Sequence, residues 1–145
     1  MVALPRTLAL GLVALFALPG AAPLNDLDIA IDHLRSPKGL LQLCLTVNES
    51  SFPDCEDDPA ARRMTVRAKD AVARFAGLPA GQYALAIVHD ENGNNKLDTF
   101  AGIPKEGIGF SRNPSFSFGP PRFSQAVFVA QGAGSSQRVK IKYFL

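Results

Sequence analysis

Apolar side chains recur at every second position along much of this chain, a period that strands satisfy and long amphipathic helices do not. Leu27, Ile29 and Ile31 fall on one face while Asp26, Asp28 and Asp32 fall on the other, and Leu41, Leu43, Leu45 and Val47 repeat the pattern. Between them Ser36, Pro37, Lys38 and Gly39 carry turn chemistry, which predicts a hairpin of the first two strands. Short strands are expected at 64–67 and 71–75. Over 82–89, Tyr83, Leu85 and Ile87 alternate with Ala84, Ala86 and Val88, and both sets are apolar, so this strand belongs at the centre of a sheet. Strands resume at 123–130 and 137–143, where Val139, Ile141 and Tyr143 oppose Arg138, Lys140 and Lys142. About seven strands without a long helix predict an all-β fold, an antiparallel β-sandwich in which each apolar face is covered by the other sheet.

Residues 1–22 break the pattern. Arg6 is followed by an apolar run from Leu8 to Leu18 and then by Gly20, Ala21 and Ala22, which reads as a secretory signal peptide ahead of one domain over 23–145. The run is about half of the roughly 20 residues a membrane span needs, so no span is expected in the mature protein. The expected location is periplasmic or secreted. Of the 15 Lys and Arg residues Arg6 lies in this segment, leaving 14 against 13 Asp and Glu. So even a balance provides no field to collect nucleic acid.

The mature chain holds two cysteines, Cys44 and Cys55, in neither a CxxC pattern nor a zinc-ligand pattern. In an oxidising compartment they are expected to form a structural disulfide.

Residues 90–122 are rich in Gly, Pro, Asn and Ser, and loops of that length in a small domain are usually functional. They begin with His89, Asp90, Glu91, Asn92, Gly93, Asn94, Asn95, Lys96, Leu97 and Asp98. Counting from Asp90, oxygen-bearing side chains stand at odd positions: Asp90, Asn92, Asn94 and Asp98, the spacing by which a tight loop turns ligands toward Ca²⁺. The glycine stands at position four rather than six and no bidentate Glu stands at position twelve, so a weak site is expected, with Glu106 as an additional ligand. The plainer reading is a turn at Asn92 and Gly93 in which Asp and Asn side chains bond nearby amides.

Gly102, Ile103, Pro104, Lys105, Glu106, Gly107, Ile108, Gly109, Phe110 and Ser111 follow, with neither a phosphate-loop GK[ST] nor a GxSxG elbow. Glu106, Phe110 and Ser111 are candidates for a loop surface. Six of the nine Phe residues beyond the leader fall between Phe100 and Phe128, suiting either an exposed binding patch or a loop tucked onto the core. A hydrolase using His89 is the alternative function; adjacent strand residues point to opposite faces, so Asp90 is not expected to orient that imidazole.

The run HDxNxNxxxD at 89–98, with GxPxEGxGFS at 102–111, resembles small exported bacterial proteins classed as a domain of unknown function. The stretch from Leu78 to Ile87 is similar to transthyretin-like and carboxypeptidase regulatory modules. That likeness implies a prealbumin-type, transthyretin-like or immunoglobulin-like sandwich. Transthyretin-like hydrolases end in a tyrosine, arginine, glycine, serine tail, whereas this chain ends Lys142, Tyr143, Phe144, Leu145. The resemblance implies export and fold without a mechanism. The resulting expectation is an exported, non-catalytic binding or structural module with a Ca²⁺ loop, whose partner is an unidentified ligand or envelope protein.

Overall fold

The computed structural model describes residues 19–132 and 134–145, so the expected leader lies outside the described residues save for 19–22. The strands are β1 Asn25–Asp32, β2 Leu40–Thr46, β3 Arg62–Arg67, β4 Val72–Leu78, β5 Gly81–Asp90, β6 Thr99–Phe100, β7 Ile103–Pro104, β8 Gly107–Phe110, β9 Phe128–Ala130 and β10 Ser135–Lys140. A single helical turn, α1 Phe123–Ala126, precedes β9. The fold is mostly β, with several antiparallel sheets. One sheet has the order β10-β1-β4 and a second β3-β2-β5-β8, with β9 also pairing β5; β6 and β7 form a separate hairpin.

The expected hairpin of the first two strands does not form: β1 pairs with β4 and, in parallel, with β10, whereas β2 pairs with β3 and β5. Alternation specifies which side chains face inward but leaves a strand's neighbours open. Here Gly39, at φ +74°, lies so close to the backbone of Asp90 and Glu91 that a Cβ would overlap it, and the chain is thereby led into β2 beside the end of β5. The central position of β5 matches its two-sided apolar pattern, with Tyr83, Ala84, Leu85, Ala86 and Ile87 all buried.

Leu41, Leu43, Leu45, Leu85 and Ile87 share one buried cluster with Leu27, Ile29, Ile31, Phe75 and Val139 of the three-stranded sheet. A smaller cluster on the other side of β5 joins Ala84, Ala86, Phe110 and Ala126, with Phe52, Ile108, Phe116 and Phe123 packed against it. Most of the Phe-rich segment is therefore tucked onto the fold. The strand expected at 123–130 is instead a helical turn followed by three extended residues. Strand β8 stands inside the stretch expected to be loop. A Cβ at Gly107 would collide with Ile141 and Tyr143, and one at Gly109 would come within 2.8 Å of Ile141 and Val139, so both positions require glycine. Residues after β10 close that edge, with mutual amide bonds between Ile108 and Lys142 of 2.9 and 2.8 Å.

Candidate functional site

Two buried polar residues end β5, and the strand's alternation sends their side chains to opposite faces. His89 faces inward among the apolar cluster. Its Nε2 lies 2.8 Å from the Lys38 carbonyl and its Nδ1 2.6 Å from the Tyr143 hydroxyl. A carbonyl only accepts, so Nε2 donates, and in the neutral ring Nδ1 accepts from Tyr143. Both nitrogens are engaged, and Asp90 contacts neither.

Asp90, with no exposed surface, faces outward and caps the following loop: Oδ1 accepts from Asn94 N at 3.2 Å and Oδ2 from Asn95 N at 2.8 Å. Asn92 Oδ1 accepts from Asn94 N and Asn94 Oδ1 from Lys96 N, at 3.1 and 2.9 Å, while both amide nitrogens donate to Asp98 Oδ2 at 2.8 Å. The side chains of Asn92 and Asn94 thus meet at Asp98, while that of Asp90 bonds main-chain amides of the same loop, and the local turn expected at Asn92 and Gly93 is present as well.

Glu106 joins them from beyond the β6–β7 hairpin. Its Oε2 accepts from Asp98 N at 3.2 Å, while its Oε1 is buried and has no hydrogen-bond partner. Burial, together with the charges of Asp90 and Asp98 and a carboxyl–carboxylate contact with the Asp90 side chain, pushes the Glu106 carboxyl up to about 7, against the downward pull of the Asp98 amide. Among the described residues no three His, Cys, Asp or Glu groups form a preassembled metal cage. An oxygen shell here therefore draws on the amide oxygens of Asn92 and Asn94, each of which keeps a second lone pair beside its backbone bond.

Arg35 braces the far side of the site. Its Nε donates to Glu91 Oε1 at 2.7 Å, Nη2 to the Lys105 carbonyl at 2.9 Å and Nη1 to the main-chain oxygen of Leu145 at 2.7 Å, with the guanidinium 4.4 Å from the centre of the Tyr143 ring. Sequence reasoning missed Arg35, because its partners lie 56 to 110 residues away and no local motif signals them.

A family model described as an uncharacterized protein conserved in bacteria, DUF2141, matches residues 29–138. The chain belongs to that family. No curated protein and no solved structure matches it. Within this DUF2141 chain the matched span contains Asp90, Asn92, Asn94, Asp98 and Glu106.

The other candidate residues have different settings. Cys44 and Cys55 form a disulfide with Cα atoms 6.1 Å apart, tying the segment after β2 back to that strand. Ser111 is not a surface residue: it is fully buried, accepting from Leu85 N at 3.0 Å and donating to the Ala126 carbonyl. Phe110 and Glu106 are also buried, at 4% exposure each. Phe110 lies beneath Phe116, ring centres 5.0 Å apart, in the floor of a groove of about 900 Å³ on the outer face of the larger sheet. Among the described residues no helix is long and apolar enough to cross a membrane.

Proposed function

We propose that this chain is an exported, non-catalytic binding module, built as a transthyretin-like β-sandwich, that holds Ca²⁺ where β5 ends. Asp90, Asn92, Asn94 and Asp98 supply ligands from the loop, and Glu106 supplies the one the loop lacks. The observation that carries this reading is the buried Glu106 carboxyl: no N–H reaches its Oε1, and it faces the Asp90 side chain, so that a proton or a cation is needed between the two acids. Such an arrangement is costly as an anion cluster and favourable around a cation. Oxygen-only ligands on a turn of loop suit Ca²⁺, which accepts six to eight of them in irregular geometry, better than Mg²⁺, which demands a near-ideal octahedron. Export is supported by the leader pattern of 1–22 and by the disulfide. The engagement of both His89 nitrogens supports a structural rather than a basic role for that ring.

Thermal melts in EDTA and in 10 mM Ca²⁺ test the cation. With Kd about 10⁻⁴ M, saturation a hundredfold over Kd stabilises the fold by about 2.7 kcal/mol, a rise on the order of 10 °C. Glu106→Gln is expected to remove most of that rise. An unchanged wild-type midpoint overturns the assignment.

A further inference from the structure

The hairpin β6–β7 leaves the fold at Asp98 and returns at Lys105 and Glu106, so both of its ends are held at the proposed cation site. Lys105 N donates to the Asp98 carbonyl at 2.9 Å, and Asp98 N to Glu106 Oε2 at 3.2 Å. Those contacts close the base of the hairpin where like charges crowd together. From that base the hairpin lines the outer groove with Ile103 and Pro104, beside Leu97 just before it. Phe116, Phe118, Phe144, Val88 and Ile108 line it as well.

Three observations define what fits there. Large apolar side chains stand in water at the groove's edge, with Leu97 47%, Ile103 42% and Phe118 fully exposed. Three polar side chains of its lining bond one another: Gln42 donates to Asn95 Oδ1 at 2.7 Å, and Thr65 donates to Gln42 Oε1 at 2.6 Å. The charged lining residues cancel, Asp54 and Glu56 against Arg63 and Lys96, and Arg63 is already bonded to the Cys55 carbonyl. Complementarity therefore favours an uncharged occupant with few hydrogen-bonding groups, and the volume suits a small molecule.

We infer that the groove binds an uncharged, hydrocarbon-rich small molecule, and that Ca²⁺ promotes this by clamping the base of the hairpin that lines it. This rests on the cation reading above. The cation neutralises the carboxylates of Asp98 and Glu106, whose repulsion opposes the bonds at the hairpin's base, and so strengthens the arrangement that lines the groove. The bound molecule and the cation stabilise the same arrangement, so each strengthens binding of the other.

The test uses the uncharged fluorophore N-phenyl-1-naphthylamine, titrated into the purified protein in 10 mM Ca²⁺ and in EDTA, beside melts of the same samples. Saturable binding about tenfold tighter in Ca²⁺ is expected. Glu106→Gln is expected to bind the probe with one affinity in both buffers. Val88→Phe fills the groove and is expected to abolish binding; Ile103→Gln, at an exposed position that does not endanger folding, is expected to weaken it several-fold while leaving the Ca²⁺ melt shift intact. Equal probe affinity in both buffers, with the melt shift present, overturns the coupling and leaves the cation site standing. No melt shift overturns both. No saturable binding in either buffer, or Ile103→Gln binding like wild type, overturns the groove.

Discussion

His89 and Asp90 are neighbours on one strand and neither has any exposed surface, yet their surroundings are opposite in kind. On the inner face the imidazole meets a carbonyl and a hydroxyl, and every polar atom of the trio has a partner. On the outer face a carboxylate meets two more carboxylates, and one oxygen of Glu106 has none. A saturated buried network holds a fold together by itself, whereas on the proposed reading the anionic one is completed by a cation. On that reading the two neighbours have different roles, His89 structural and Asp90 a cation ligand.

Three variants test that distinction, beginning with the largest effect. His89→Ala removes the donor to the Lys38 carbonyl and the acceptor of the Tyr143 proton beside a new cavity, the Tyr143 oxygen keeping only the bond from Arg35 N, and is expected to cost about 3 kcal/mol. Denaturant titration should find the same loss in EDTA and in Ca²⁺; a loss confined to one buffer breaks the separation between the faces. Glu106→Gln is expected to act with the reverse dependence. It forfeits the Ca²⁺ increment of about 2.7 kcal/mol, but in EDTA it melts at or above wild type, because it removes a like charge from a buried cluster. A clear destabilisation in EDTA means that Glu106 belongs to a saturated network after all. Smallest is Tyr143→Phe, which removes the donor to Nδ1 at a cost of about 1 kcal/mol, measured in chemical denaturation and independent of Ca²⁺. A change in its Ca²⁺ response would show that the two faces are coupled through Arg35, which touches Tyr143 and the Lys105 carbonyl.

Much of the fold was legible in one dimension where a side-chain period reports burial. The inward residues of β1 and β2 and the double-sided burial of β5 follow directly from alternation. Strand β8 was not legible, since Gly107 and Gly109 have no side chains with which to show a period; they are glycine because Ile141, Tyr143 and Val139 pack directly over them. The helical turn α1 was hidden for a related reason, because four residues are too few to display a 3.6 period against the strand that follows. The parallel pairing of β1 with β10 joins residues more than a hundred positions apart, as in Leu27 with Ser135, and no turn chemistry announces such a pairing.

In the candidate site the odd spacing put Asp90, Asn92, Asn94 and Asp98 on one short loop, where Asn92 and Asn94 donate to Asp98 and Asp90 accepts from loop amides. The two cysteines likewise admitted one intrachain pairing. The burial of Glu106 was decided by tertiary structure. The hairpin returns the chain to the site, Arg35 holds the Lys105 carbonyl, and Gly107 admits the packing of Ile141 and Tyr143 beside it. Tertiary structure also sent His89 into a saturated core and Asp90 toward an unsaturated cluster, and it opened the groove behind the hairpin. Desolvation and like-charge repulsion depend on distances in space, and those distances arise only when strands from both ends of the chain have packed.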